Sequence, residues 1–202
     1  MKFSKFISYF FHPINFPIIG ALIYFLFIPK HIFKVQEHTI LTVIFIGSYV
    51  FPIVLLFMLK SLKMITNFQI ATIEERKFPT TLFFGICAII GNWLFKTTVV
   101  DLLALFYFGY GLAIALTYIL LHIEIKSSLH SIGISGLIGF LMYFSYSFKI
   151  NLILIFIVLF ILSGFIISSR LTLKAHTVKE VTIGYFLGFI SQAIVFGIYY
   201  IM

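Results

Sequence analysis

A polar segment near the C-terminus carries side chains that suit phosphate chemistry. It contains Ser169, Arg170, His176 and Glu180. If the chain is helical from about His176, Glu180 lies one turn further along the same face, where its carboxylate can accept a hydrogen bond from one imidazole nitrogen. Such a bond fixes the tautomer and leaves the other nitrogen available as a nucleophile. Arg170 and Ser169 offer a planar guanidinium group and a hydroxyl to phosphate oxygens. The alternative is an interfacial set of cations with an incidental loop histidine.

A second polar segment contains Ser128 and His130, followed by three glycines. The Ser128 hydroxyl could bind a phosphate oxygen. His130 could act as a general acid, because an alkyl oxygen that leaves phosphorus needs a proton. The glycines, Gly133, Gly136 and Gly139, predict close approach of a neighbouring helix. The alternative for His130 is a structural histidine at the membrane interface.

A third segment, earlier in the chain, places Arg76 and Lys77 after Glu74 and Glu75 and before Pro79. Two adjacent cations can hold a phosphate, and the two acids can hold the cations in place. The alternative is an ordinary basic loop that faces anionic lipid.

The composition determines the kind of structure that must position these side chains. Of the 202 residues, 62% are apolar and 10% are charged, and the mean hydropathy is +1.17. Soluble domains have about 45–50% apolar and 25% charged residues. A secreted disulfide scaffold, a disordered chain and a soluble nucleic-acid binder are therefore excluded, and an integral membrane protein is predicted.

The net charge of +8 indicates contact with anionic headgroups, and no nucleic-acid partner is expected. Cys87 lies in an apolar run and supports neither a disulfide nor a zinc site.

A membrane-spanning helix needs about 17–25 residues. Seven apolar runs are candidates, and the first and third are short, so we expect an all-α, polytopic transmembrane bundle with six or seven spans. The runs cover residues 14–28, 39–59, 80–95, 99–121, 131–148, 151–168 and 181–201. No linker or repeat divides the chain, which predicts a single integral-membrane domain over residues 1–202. Residues 1–11 lack a cleavage site for a signal peptide and are expected to lie along the interface.

The three polar segments cover residues 60–79, 122–131 and 168–180. Two candidate spans separate each segment from the next. Because an even number of crossings returns the chain to the side it left, all three are predicted to share one end of the bundle, where they can form a single polar site.

The order and chemistry of these segments resemble the three motifs of the membrane-bound type 2 phosphatidic acid phosphatase superfamily (PAP2), which are Lys-x6-Arg-Pro, Pro-Ser-Gly-His and Ser-Arg-x5-His-x3-Asp. The third motif is present from Ser169 to Glu180, with Glu in place of Asp. The second is present at Ser128 and His130 only. The first keeps Arg76, but its proline comes later, at Pro79, and Gln69 occupies the lysine position. The resemblance spans residues 76–188, and a phosphatase-like core is expected over about residues 60–201.

The resemblance implies a metal-independent phosphatase that hydrolyses a lipid phosphate or a lipid diphosphate, such as a polyprenyl diphosphate, through a phosphohistidine at His176. It further implies that His130 protonates the leaving oxygen and that Glu180 orients His176. The phosphate-binding residues that it implies are Arg76, Ser128 and Arg170, and the residue types add Lys77 and Ser169 as further candidates. No cofactor or metal is expected, because arginines can neutralise phosphoryl charge and the acids form no pattern for a magnesium site.

Two alternatives and one question of orientation stay open. The chain could be a carrier or a non-catalytic protein that binds anionic lipid on the same fold, or a phosphotransferase that uses the same histidine. The end with the polar segments and the N-terminus has ten Lys and Arg against four at the other end. The positive-inside rule places such an end in the cytoplasm. Phosphate-binding cations raise this count on either side, however, and the resemblance implies a bacterial-type inner (plasma) membrane with the site commonly on its outer side, so the side is not assigned.

Overall fold

The computed structural model describes residues 2–66, 68 and 72–201, and Gln69 lies outside them. Over the described residues the chain forms nine α-helices and one π-helical turn, with no strand, which confirms the all-α prediction. The helices are α1 (Lys2–Phe10), α2 (Asn15–Phe27), α3 (Lys34–Phe45), α4 (Phe51–Ser61), α5 (Ile73–Lys96), α6 (Asp101–His122), α7 (Leu129–Phe148), α8 (Ile153–Thr172) and α9 (Val178–Ile201).

Six helical segments are long and apolar enough to cross a bilayer, as expected for an integral membrane protein. They are the continuous segment Lys34–Ser61 and helices α5 to α9. Helix α2 has only 13 residues, a length of about 20 Å, short of the roughly 30 Å of a hydrocarbon core. Helices α1 and α2 make a seventh span only if taken together across their 60° bend. The predicted count of six or seven spans is confirmed.

The π-helical turn Ile46–Val50 joins α3 to α4. It has a local cause, since Pro52 has no backbone N–H to donate to the Ser48 carbonyl. The Phe51 N–H donates instead to Ile46, five residues back. The Ser48 hydroxyl donates to the Ile44 carbonyl at 2.7 Å. Such widened turns often face functional sites, and this one lines the cavity described below.

Helices α6 and α7 form the centre of the bundle, and most of their residues are buried. Three glycines of α7 each lie against a side chain from a different helix. A side chain at Gly133 would overlap the Phe16 ring of α2, one at Gly136 would overlap Tyr110 of α6, and one at Gly139 would press on Gln192 of α9. The prediction that these glycines permit close packing is therefore confirmed.

Two helix boundaries differ from the apolar runs. Helix α5 begins at Ile73 rather than near residue 80, because the Thr72 hydroxyl caps it by accepting the Glu75 N–H at 3.3 Å. Helix α8 continues to Thr172 rather than stopping at residue 168. Arg76 and Arg170 are consequently placed on helices, which fixes the direction of both side chains.

The polar segments meet at one end of the bundle. The Ser128 N–H donates to the Glu180 carbonyl at 3.1 Å, and Arg76 Nη1 donates to the Ser127 carbonyl at 3.0 Å. At the opposite end, the Lys30 ammonium lies over the Phe148 ring. The predicted common location of the three segments is confirmed.

Candidate functional site

A cavity of about 420 Å³ opens between the helices at this end. Six of its lining residues have side chains that suit anion binding or proton transfer. They are Ser8, His12, Arg76, His130, Arg170 and His176. They come from α1 and the turn after it, from α5, α7 and α8, and from the loop before α9.

His176 and Glu180 form the contact that their spacing predicts. His176 Nδ1 lies 2.7 Å from Glu180 Oε2. The same carboxylate accepts the Thr177 N–H at 3.3 Å, and the Thr177 hydroxyl accepts the Glu180 N–H at 3.3 Å. This reciprocal pair is a capping box and explains why α9 begins at Val178. Because a carboxylate only accepts, the hydrogen of His176 lies on Nδ1 and the lone pair lies on Nε2.

The surroundings of His176 keep its ring neutral. Burial and then the positive charge of Arg76 lower the pKa of His176, which is about 4 despite the opposing effect of Glu180. At neutral pH the lone pair on Nε2 is therefore available. Lys126 Nζ lies 4.0 Å from Glu180 Oε2, and burial lowers the pKa of Lys126.

Two arginines from different helices line the cavity. Arg76 is 7% exposed and Arg170 is 5% exposed. Arg170 Nη1 donates to the Ser8 hydroxyl, and Arg170 Nε has no hydrogen-bond partner among the described residues. Two like charges that are both withdrawn from water repel each other and lose hydration. An anion between them would offset both costs, which makes this end of the cavity a candidate anion site.

His130 faces the cavity from the first turn of α7. Its Nε2 lies 3.0 Å from the Ser8 carbonyl, which can only accept, so Nε2 carries a hydrogen. The His12 ring lies edge to face on His130, with centroids 5.6 Å apart. The structure thus brings the predicted acid to the same cavity as the predicted nucleophile.

Three of the residues expected to bind phosphate do not line the cavity. The Ser128 hydroxyl caps α7 by accepting the Ser131 N–H at 3.4 Å. Ser169 is buried elsewhere on α8. Lys77 points outward, and its Nζ pairs with Glu74 at 2.7 Å. Successive residues of a helix lie about 100° apart, so Lys77 cannot face the cavity beside Arg76, nor Ser169 beside Arg170.

Sequence reasoning missed two residues of the N-terminal segment, Ser8 and His12. Helix α1 packs across α8, with the Phe3 ring on the Phe165 ring and the Ser8 side chain buried. The available signal was the spacing of Ser4, Ser8 and His12, each four residues after the last, which is a helical period, although α1 ends at Phe10 and His12 lies in the turn after it.

The rest of the cavity wall is mostly apolar. Helix α4 contributes Ile53 and Leu56, and α5 contributes Phe83 and Ile86. The rim includes Phe57, which is 60% exposed, and Phe68, whose ring lies 4.3 Å from the Lys60 ammonium. A cavity that is cationic at one end and apolar over its remaining wall suits an amphiphile with an anionic headgroup.

Comparison with protein-family models, curated proteins and solved structures gave no match to this chain. The chemistry of the cavity is therefore inferred from its own side chains, which are two guanidinium groups and three imidazoles with one carboxylate behind them. In the described part of the chain, no three His, Cys, Asp or Glu side chains are grouped as a metal site.

Proposed function

We propose that the protein is a metal-independent membrane phosphatase that hydrolyses a lipid phosphate or lipid diphosphate through a phosphohistidine at His176, with PAP2-like chemistry. The observation that supports this most is the convergence of Arg76, Arg170 and His176 on one cavity, although Arg76 lies 94 positions before Arg170 in the chain. The resemblance of the motifs extends the proposal to a bacterial-type plasma membrane.

In this mechanism the phosphate group lies between the two arginines. His176 Nε2 attacks phosphorus, and the bond from phosphorus to the lipid oxygen breaks. The negative charge of the bound phosphate favours protonation of His130, and the protonated ring gives its proton to that oxygen. The phosphorylated ring of His176 is then cationic, and the Glu180 carboxylate stabilises it through the Nδ1 hydrogen. Phosphoryl transfer depends mainly on positioning and on charge neutralisation at the equatorial oxygens, which guanidinium groups can provide.

Water completes the cycle. It attacks phosphorus, the bond to His176 Nε2 breaks, and the ring returns to its neutral form. His130, deprotonated in the first step, accepts the proton of the attacking water. Inorganic phosphate is released, and both histidines regain their starting states.

The apolar wall supports a lipid as the substrate. Removal of a hydrocarbon chain from water contributes about 0.8 kcal/mol per buried CH₂ group. Ile53, Leu56, Phe83 and Ile86 offer such a surface next to the arginines. The headgroup can enter the cationic end while the chains stay in the apolar part or in the bilayer.

A second candidate is a protein that binds an anionic lipid in this cavity without cleaving it. One observation favours it, because the Nε2 hydrogen of His130 is directed to the Ser8 carbonyl rather than to an open position. A lipid could bind the arginines and still lack a proton donor for its leaving oxygen.

The test is phosphate release by the purified protein in detergent with EDTA, using phosphatidate, phosphatidylglycerol phosphate and a polyprenyl diphosphate. We expect EDTA-resistant release from at least one lipid, reduced at least about 10³-fold by His176→Ala. His38→Ala, an exposed histidine of α3, is the matched control and should leave the rate unchanged. Equal rates in the wild type and His176→Ala would contradict the proposal. Binding of lipid without release would favour the second candidate.

A further inference from the structure

Of the six cavity residues that suit anion binding or proton transfer, two have no part in the proposed mechanism. Ser8 lies in the last turn of α1 with its side chain buried, and His12 lies in the turn between α1 and α2. Both line the cavity together with Arg76, Arg170 and His176. Ser8 lies 68 positions before Arg76 and 162 before Arg170, so the presence of Ser8 and His12 in the cavity depends on how the N-terminal segment packs.

Ser8 contacts two site residues at once. Its hydroxyl accepts from Arg170 Nη1, and its carbonyl accepts from His130 Nε2 at 3.0 Å. The first bond fixes the direction of the guanidinium group. The second fixes the tautomer and the orientation of the imidazole. A single residue of α1 therefore contacts both the arginine and the histidine and helps to set their positions.

His12 has a donor directed at no other residue. The Ile14 N–H donates to His12 Nδ1 at 3.4 Å, so Nδ1 carries the lone pair and Nε2 carries the hydrogen. Among the described residues, Nε2 has no hydrogen-bond partner. The ring is held edge to face on His130. A neutral N–H at the wall of a cationic cavity is a suitable donor to a phosphate oxygen.

The other candidates for a third donor are occupied elsewhere. A phosphoryl group presents three equatorial oxygens, and Arg76 and Arg170 are the two guanidinium groups on the wall. Lys77 pairs with Glu74, and the Ser128 hydroxyl caps α7. Of the three imidazoles on the wall, His12 is the one to which the proposed mechanism gives no role.

We propose that the N-terminal segment completes the phosphate site, with His12 Nε2 as a hydrogen-bond donor to a phosphate oxygen and Ser8 as a positioning residue for Arg170 and His130. This inference rests on the proposed function, because it assigns further residues to the same site. Because His12 is assigned to phosphate binding, its role can be tested by the affinity for inorganic phosphate, without measuring turnover.

The test of His12 uses the full chain in detergent and inorganic phosphate as the probe, titrated by calorimetry. A hydrogen bond to a charged group contributes enough that its loss should weaken phosphate binding about tenfold or more in His12→Ala. His12→Gln keeps an N–H at the position of Nε2 and should bind within about threefold of the wild type. His31→Ala, an exposed histidine between α2 and α3, should bind as the wild type does.

The test of Ser8 compares Ser8→Ala with Ser8→Thr, which keeps the hydroxyl. We expect kcat/KM on the preferred lipid to fall about tenfold in Ser8→Ala and to recover in Ser8→Thr, with both variants eluting as folded protein. Equal losses in the two variants would overturn the positioning role, because a purely steric effect does not depend on the hydroxyl.

The two proposals fail in different ways. Wild-type phosphate affinity in His12→Ala, with release still abolished by His176→Ala, would overturn the role of His12 and leave the phosphatase intact. A wild type that binds no phosphate would overturn the inference. Absent turnover, with phosphate binding weakened by His12→Ala, would support the phosphate site and contradict hydrolysis.

Discussion

Glu180 serves two partners with one carboxylate. It holds His176 Nδ1 and closes the capping box at the start of α9. Gln can accept both hydrogen bonds but carries no charge. We therefore predict that Glu180→Gln folds normally and loses about 10²- to 10⁴-fold in kcat, because the proposed phosphohistidine is cationic and would no longer be neutralised. Steady-state kinetics and a melting curve test this. The control is Glu37→Gln in α3, and a fully active Glu180→Gln would show that the charge is dispensable.

The pH profile tests the electrostatics around His176. Burial and Arg76 lower the pKa of His176 to about 4, and the nucleophile is inactive when it is protonated. On the acid side of the pH profile, kcat/KM should therefore fall with an apparent pKa below 6.5, the ordinary pKa of histidine. Arg76→Gln removes one charge that lowers this pKa, so the fall should move to higher pH. A fall that stays in place, measured on the residual activity of Arg76→Gln, would contradict this account.

Sequence predicted the local contacts of the site better than the distant ones. The bond between His176 and Glu180 follows from a spacing of four residues, and Arg170 follows from its place six residues before His176. The contacts of Ser8 with His130 and Arg170 join residues 122 and 162 positions apart, and no spacing encodes them. Lys77 was expected beside the phosphate because of its charge. It lies about 100° around α5 from Arg76, and it pairs with Glu74 outside the cavity.

Helix ends at the polar segments are set by caps rather than by hydropathy. The apolar runs predicted where the spans lie but not where these helices begin and end. Helix α5 begins before its apolar run, and α8 ends after its run. The Thr72 hydroxyl caps α5, so this helix begins at Ile73, seven residues before the apolar run that starts at residue 80. Because the site residues lie in these extra turns, the helical placement of Arg76 and Arg170 was not visible in the apolar pattern.

Helix α9 packs against the loop before α7 through Gly184. A Cβ at this position would lie 2.6 Å from the Ser128 carbonyl oxygen and 3.0 Å from the Ser128 nitrogen, both backbone atoms. We predict that Gly184→Ala lowers the free energy of unfolding by about 1–3 kcal/mol. It should also lower activity, since the loop carries the Ser127 carbonyl that binds Arg76.

The matched control lies on the same helix. A Cβ at Gly197 would have no neighbour within 4 Å. Gly197→Ala should therefore be neutral or stabilise α9 by up to about 1 kcal/mol through helix propensity. Thermal unfolding in detergent measures both variants. If the two changes have equal effects, the close approach at Gly184 does not limit stability.

At the scale of the whole molecule, counting spans was sufficient to predict that three distant polar segments share one end. It was not sufficient to predict the cavity, which depends on which helices pack together. Helix α7 meets α2, α6 and α9 through its glycines, and α1 packs on α8. Hydropathy carries no information on these pairings, because every helix in lipid has apolar faces.

The central claim is a covalent phosphoryl group on Nε2 of His176. The direct measurement is brief reaction of the purified protein with a lipid radiolabelled in its phosphoryl group, an alkaline quench, and identification of the labelled peptide by mass spectrometry. The mechanism predicts label on His176, none in His176→Ala, and a longer-lived label when water attack is slowed by His130→Ala with a substrate that has a good leaving group. Phosphate release at the wild-type rate with no label on His176, or with label on another residue, would contradict it.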